Sequence, residues 1–189
     1  MAIASPNRCI DLTDPYQLEK VSESVCVVAE KVYASCLQRE CIPSCSVNLP
    51  ITVGPYTFVG MRFENGLIVP DTTVITPLPN RPNFARVQFT VQIPFNLTLR
   101  DALGTLITLT GSSTDIFKDI ILYYPPFRSE FSLKLRVETR AQILGPPSFT
   151  AITIEIPIGV FIITKVTGLV QILVPAFGYC TEPPSDNIS

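Results

Sequence analysis

Hydrophobic and polar residues alternate strictly in three stretches of the chain. In residues 85–93 every odd-numbered residue is apolar, namely Ala85, Val87, Phe89, Val91 and Ile93. Residues 131–140 repeat the pattern with Phe131, Leu133, Leu135 and Val137. Residues 151–156 repeat it more briefly. A period of two is typical of antiparallel strands with one buried face. We predict that these stretches are strands whose apolar residues face a core.

Turn signals separate the candidate strands from one another. Clusters of proline, glycine, asparagine and serine occur at residues 48–56, 64–66, 76–83, 110–115, 123–127 and 144–148. They leave eight to ten short strands at regular spacing, which is typical of a sandwich or a barrel. The sequence therefore predicts an all-β chain in which residues 46–180 form a single antiparallel β-sandwich, either a jelly roll or an immunoglobulin-like sandwich.

Residues 1–45 differ from the rest of the chain. They contain five of the six cysteines and the only stretch that is compatible with a helix. Asp14 is suited to the N-cap of such a helix, with Pro15 at its first position. Residues 25–33 also fit a strand, so we predict a short helix followed by an extended segment. We interpret residues 1–45 as a cysteine-rich N-terminal arm and the polar residues 181–189 as a flexible tail.

The most apolar window, residues 156–174, is long enough to span a bilayer. It is nevertheless rich in β-branched residues and is interrupted by residues that disfavour a membrane helix, namely Pro157, Gly159, Lys165, Gly168 and Gln171. We interpret the window as two strands joined by a turn and expect no membrane insertion.

Charge and missing residue types exclude several classes of function. The 189 residues include no histidine, so Ser-His-Asp and Cys-His catalysis are excluded, as are nearly all mixed His/Cys zinc sites. The acidic residues are scattered over turns and outward strand faces, with no pair suited to a glycosidase. We expect neither an enzyme nor a cofactor. A net charge of −2 predicts no nucleic-acid partner and gives little repulsion between copies.

The six cysteines are the candidate chemical residues: Cys9, Cys26, Cys36, Cys41, Cys45 and Cys180. A zinc or iron–sulfur site would need four thiolates, but the central four lack the C-x2-C pair that structural zinc sites favour. A thioredoxin-like redox centre would need C-x-x-C beside a βαβ pattern, and both are absent. Disulfides fit better, although six cysteines allow 15 intrachain pairings. Thiols concentrated on an arm also suit cross-links to a neighbouring copy.

The N-terminal sequence shows no basic region followed by an apolar run, so we expect synthesis in the cytoplasm without a secretory signal. Disulfides are rare in that reducing compartment. Cysteines in such a chain therefore either stay reduced or meet an oxidant later, for example after lysis of the producing cell.

Two stretches resemble a known group of proteins. Residues 25–41, VCVVAEKVYASCLQREC, are similar to an N-terminal KVYxSC-type signature of clostridial endospore surface proteins, and residues 135–145, LRVETRAQILG, look like a second stretch of that group. The matches cover about a sixth of the chain. The resemblance implies a location on the spore surface, reached after lysis of the mother cell.

The expected architecture is also similar to that of endospore appendage subunits of Firmicutes, which are jelly-roll proteins with a cysteine-bearing arm. That resemblance implies that Cys9 and Cys26 act as cross-link donors on the arm and Cys180 as an acceptor. This chain departs from the pattern, since it is longer, lacks a tandem Cys-Cys and adds the cysteines of residues 36–45.

Three functions remain open from the sequence. The favoured one is a self-assembling structural subunit of an extracellular or spore-surface fibre or layer, whose partners are copies of itself and other spore-surface proteins. Strand addition or insertion of a donor arm would hold the copies together, and disulfides would lock them. The alternatives are a monomeric, disulfide-stapled binding module for a glycan or coat protein, and a thiolate metal-binding protein.

Overall fold

The computed structural model describes residues 23–50, 54–126 and 132–176, and these contain eleven strands and no helix. The strands are β1 (Glu23–Asn48), β2 (Thr57–Phe63), β3 (Leu67–Ile68), β4 (Val74–Pro77), β5 (Phe84–Gln92), β6 (Pro94–Arg100), β7 (Leu106–Ser112), β8 (Ile116–Tyr123), β9 (Lys134–Ile143), β10 (Ser148–Phe149) and β11 (Thr153–Ala176). The predicted all-β class is confirmed. No helix that could span a membrane occurs among these residues.

The strands pair in three sheets. In the first, β6 lies between β2 and β7, and in the second, β5 pairs with β3, β4 and β8. In the third, β11 pairs with β1, β9 and β10. Every pair with a defined register is antiparallel. The antiparallel prediction is therefore confirmed, whereas the arrangement as one jelly-roll sandwich stays a prediction.

The first two sheets meet where one long hairpin bends. Its first arm continues from β5 into β6 at Ile93 and its second arm from β7 into β8 at Ser113. The backbone N–H of Ser113 donates to Ile93 O at 2.9 Å, and Ile93 N–H donates to Ser113 Oγ at 3.0 Å. This exchange satisfies backbone groups that the regular ladder leaves unpaired at a bend.

The core is built by the alternation that the sequence displays. The odd-numbered residues from Ala85 to Leu99 are all at most 3% exposed, as predicted for residues 85–93. On β9, Val137 is buried and Leu135 packs against the core, as does Leu133 just before the strand. Phe131 lies outside the described residues. The alternation of residues 151–156 holds for the buried Ile154 and Ile156 but is wrong for exposed Ile152, because the chain turns there from β10 into β11.

β1 and β11 are the longest strands, with 26 and 24 residues. Leu49 N–H donates to Ile152 O at 2.8 Å, so the end of β1 lies beside the start of β11 and the two strands run in opposite directions. One prediction fails here. Residues 156–174 form one unbroken strand instead of two strands and a turn, because β9 pairs with β11 continuously from Ile158 to Thr167.

The described part of the predicted arm agrees with the extended segment expected there. The chain is extended from Glu23 onward, so the cysteine-bearing residues 26–45 belong to a strand. The predicted helix start at Asp14 lies outside the described residues, as does the tail at 181–189. The boundary predicted between residues 45 and 46 lies within β1.

The chain divides into two compact units. The larger is Lys31–Gly168. The smaller contains, of the described residues, 23–30 from β1 and 169–176 from β11. We call these two segments the ribbon end, because β9 stops pairing with β11 at Thr167 and leaves β1 as its strand partner in the part of the chain described.

Candidate functional site

The four cysteines within the described residues all lie on β1 and all are free thiols. Cys26 and Cys41 are exposed, whereas Cys36 is half-buried and packs against the core. Cys45 is only 1% exposed and belongs to the core. The core-facing residues change from even-numbered, up to Ile42, to odd-numbered at Cys45, so these thiols do not share one face of the strand.

A continuous strand separates these thiols too widely for them to pair with one another. A strand rises about 3.3 Å per residue, so even Cys41 and Cys45 are about 13 Å apart along β1. A disulfide requires Cα atoms within about 7 Å of each other. Any disulfide of these four therefore involves Cys9, Cys180 or a thiol of another molecule. Cys9 and Cys180 lie outside the described residues.

The described part of the chain brings together no group of three or more cysteine, aspartate or glutamate side chains that could hold a metal ion. The thiol environments also differ, since burial raises the pKa of Cys45 above its ordinary value. Burial in apolar surroundings disfavours the thiolate, which is the reactive and metal-binding form. Exposed Cys26 and Cys41 are the thiols of β1 that an external reagent reaches.

The outer edge of β9 is covered at its centre by one side chain. Thr139 N–H donates to Asn65 Oδ1 at 2.8 Å, and Asn65 Nδ2 donates to Val137 O at 3.2 Å. Gly66 N–H donates to Thr139 Oγ1 at 2.6 Å. The amide of Asn65 thus takes the place of a neighbouring strand. Unpaired sheet edges invite association with another chain, so this contact protects the edge.

The edge strand β8 is protected in a different way. Its inward-facing residues are Ile116, Lys118, Ile120 and Leu122, and Lys118 is 2% exposed. The ammonium of Lys118 forms an ion pair with Glu40 on β1. Inward-pointing charged residues are among the devices that natural sheets use to limit pairing at an edge strand. The pair also connects the sheet of β8 to that of β1.

Other edges are short or irregular. β3 and β10 have two residues each, and the four-residue β4 ends at Pro77. The register of β2 against β6 shifts between Phe58 and Gly60, which marks a bulge. Short strands, proline and bulges are devices that natural sheets use to limit edge-to-edge pairing.

Apart from Pro175, the ribbon end has none of these protections among the residues described. Residues 25–29 and 169–176 contain no charged residue. Large apolar side chains on both segments are exposed, including Val25, Val27, Val28, Leu169, Ile172, Leu173 and Val174. Leu173 is 74% exposed and Val28 is 60% exposed. An uncharged apolar strand with an open edge is suited to pairing with another chain.

A separate apolar cavity of about 440 Å³ lies beside the β4–β5 turn. Phe84 and Tyr124 line it together with four prolines, namely Pro77, Pro82, Pro125 and Pro126. Burial raises the pKa of Tyr124 above its ordinary value. Arg81 lies over the ring of Phe84, with its guanidinium carbon 4.1 Å from the ring centre. The cavity offers aromatic and apolar contacts of the kind that small ligands or proline-rich peptides use.

Sequence reasoning placed the exposed cysteines among the candidates but missed Lys118, Asn65 and the ribbon end. The sequence of residues 116–122 gives no clear signal for Lys118, because both phases of this strand carry apolar residues, including Phe117 and Ile121 in the exposed phase. The signal for the ribbon end is its lack of charge over residues 25–29 and 169–176. The contact between Asn65 and Thr139 joins residues far apart in sequence, and no local pattern indicates it.

The chain matches no protein-family model, no curated protein and no solved structure.

Proposed function

We propose that this chain is a self-assembling structural subunit of a fibre or surface layer, and that exposed thiols reinforce contacts between copies. The exposed ribbon end, uncharged over residues 25–29 and 169–176, is the observation that carries the proposal. The sequence resemblance to endospore surface proteins supports a location on the spore surface, reached after the mother cell lyses. The copies themselves are the main partners, and other spore-surface proteins are further ones.

Physical chemistry favours strand addition at this surface. A new strand would pair with backbone groups of β11 beyond Thr167, where the pairing with β9 has ended. It would also cover side chains such as Leu169 and Leu173, and burial of one such side chain contributes about 2 kcal/mol. Residues 169–176 carry no charge that would lose its water of hydration.

Thiol oxidation would then make the contacts covalent. Two thiols on different copies lose two protons and two electrons to an oxidant such as dioxygen, and one S–S bond forms. Cys26 lies on the ribbon end and Cys41 on the larger unit, and both are exposed. Separation of the described thiols along β1 favours bonds between molecules over bonds among those four.

Electron microscopy of the untagged protein, with and without dithiothreitol, tests the proposal. We expect ordered filaments or sheets, and high-mass material after boiling in SDS without reductant. Uniform small particles under both conditions would contradict self-assembly. Clean monomer on the non-reducing gel, with filaments still present, would contradict only the covalent reinforcement.

A matched pair of variants locates the contact. Ile172→Glu places a charge on the ribbon end, where the side chain is 44% exposed. Ile121→Glu makes the same change on the protected strand β8, where the side chain is 52% exposed. We expect Ile172→Glu to abolish assembly and Ile121→Glu to retain it. Equal assembly of both variants would show that the ribbon end is not the contact between copies.

The apolar cavity supports a second candidate, a binding module for a proline-rich or other apolar ligand. Tyr124→Ala would then abolish ligand capture and leave assembly unchanged. Size-exclusion chromatography separates the two candidates, because a module without the structural role would remain monomeric at every concentration.

A further inference from the structure

The edge of β7 is a second unprotected edge, and it lies in the larger unit. β7 (Leu106–Ser112) pairs with β6 on one side and has no other strand partner among the residues described. No charged residue occurs between Asp101 and Asp115, and the exposed positions of β7 are Leu106, Thr108, Thr110 and Ser112. We propose that this edge accepts the β11 segment of the ribbon end from a second copy. The inference rests on the proposed function and names the surface that receives the strand.

Residues 169–176 and the edge of β7 match in charge and in length. Residues 169–176 and β7 are both uncharged, so pairing them desolvates no ion on either side. β7 has seven residues, which is close to the length of the β11 segment beyond β9. Among the residues described, neither edge has a side chain that caps its backbone, as Asn65 does on β9, or an inward-pointing charge, as Lys118 is on β8.

The charges on β1 exclude most of that strand as the acceptor. The part of β1 within the larger unit includes Lys31, Arg39 and Glu40. A second strand along this edge would lie beside these charges. β7 presents exposed threonines instead, whose hydroxyl groups tolerate partial burial when they are hydrogen-bonded and which are favourable in strands.

Pairing of two different edges determines the kind of assembly. Each copy donates one edge and accepts at another, so the contact is heterologous. Such contacts give rings if the rotation closes and open filaments if it does not. A contact between two ribbon ends, by contrast, would be isologous and would stop at a dimer. Growth beyond a dimer therefore requires a second, different edge, and we assign that role to β7.

Three full-length variants test the inference in the presence of dithiothreitol, which removes the contribution of disulfides. Thr108→Lys places a charge on the β7 edge, opposite Thr98 of β6. Thr108→Val is the uncharged control at the same position. Ile172→Glu blocks the ribbon end. Far-ultraviolet circular dichroism checks that each variant folds, and Thr110→Lys replaces Thr108→Lys if that variant does not.

Sedimentation velocity gives distinct outcomes. We expect polymers from the unmodified chain and from Thr108→Val, and monomers from Thr108→Lys and Ile172→Glu alone. A one-to-one mixture of the last two should form dimers of twice the mass, because one intact donor edge meets one intact acceptor edge.

Other outcomes overturn the inference. Polymers of Thr108→Lys would exclude the β7 edge as the acceptor while the proposed function stands. Dimers of Thr108→Lys alone would show that two ribbon ends pair with each other. If the unmodified chain stays monomeric at all concentrations, the proposed function fails as well.

Discussion

The backbone N–H of Thr139 donates a hydrogen bond to the side-chain oxygen of Asn65, 2.8 Å away, although 74 positions separate the two residues. The same amide donates to Val137 O, so one side chain mimics two rungs of a strand ladder. On its other side β9 pairs with β11, and that pairing ends at Thr167. The chain thus protects one part of this sheet from pairing and leaves another part open.

Close approach of Gly66 to Thr139 predicts that Gly66→Ala destabilises the protein. A Cβ at this position would lie 2.7 Å from Thr139 Cγ2, so the neighbour would have to move. Overpacking of this kind costs about 1–3 kcal/mol in unfolding free energy. Urea unfolding measures the change, and Gly60→Ala is the control, because no heavy atom lies within 4 Å of the point that its new Cβ would occupy. Equal destabilisation of the two variants would contradict the packing argument.

The ion pair between Lys118 and Glu40 predicts unequal effects of its two single substitutions. Lys118 is 2% exposed and Glu40 is 39% exposed, so Glu40→Gln leaves a buried ammonium without its countercharge. We expect that change to cost about 2 kcal/mol in unfolding free energy. Lys118→Met keeps the shape of the side chain and removes the buried charge, so we expect a neutral or stabilising effect.

A double-mutant cycle checks the coupling of this pair. In the Lys118→Met background, Glu40→Gln should cost much less than it does alone, because the charge that it leaves unpaired is gone. An equal cost in both backgrounds would mean that the ion pair does not connect β1 to β8 energetically.

Burial of the Cys45 thiol predicts that it reacts last. Because burial raises its pKa, little thiolate forms at neutral pH. Iodoacetamide under native conditions should modify the exposed Cys26 and Cys41 and leave Cys45 unmodified, as measured by peptide mass spectrometry. In urea these thiols should react at similar rates. Rapid native alkylation of Cys45 would contradict its place in the core.

The contact between Asp119 and Arg86 predicts a small loss of stability in acid. The hydrogen bond from the Arg86 guanidinium lowers the pKa of Asp119 below its ordinary value of 3.8. A carboxyl whose pKa is lowered by folding contributes stability above its unfolded pKa, and loses it as the pH falls through the folded value. Unfolding free energy should therefore decline less steeply below about pH 4 in Asp119→Asn than in the unmodified chain. The effect should be small, since both side chains are partly exposed. Arg86→Met should flatten the same part of the profile, and unchanged profiles in both variants would contradict the assignment.

Much of the fold follows from the period of two. Residues 85–93 alternate because one face of β5 is buried, and every predicted inward residue of that stretch is in the core. For residues 156–174 we predicted two strands, because glycine usually marks a bend, whereas the structure has one strand. At Gly159 the missing side chain instead leaves room for Leu144, to which a Cβ would come within 2.8 Å. The glycine at position 159 is therefore explained by close packing against Leu144, and it does not mark a turn.

The candidate surface was harder to predict, because an edge is defined by the strands that do not pair with it. The sequence around Leu173 is apolar in either case, and it lies beyond the pairing with β9, which stops where β9 begins, at Lys134 opposite Thr167. Similarly, the cysteines of β1 were visible in the sequence, whereas their distribution over exposed and buried positions depends on how β1 packs.

The spacing of thiols along β1 affects the kinetics of oxidation. Ring closure between two groups on one chain usually outcompetes reaction between chains, because the effective concentration of tethered groups is high. A rigid strand that holds its thiols out of reach reduces that effective concentration to nearly zero. Disulfide formation among the thiols of β1 then becomes second order in protein, so dilute copies remain reduced long after crowded ones have reacted. The rate of disulfide formation among the thiols of β1 therefore depends on the local concentration of the protein.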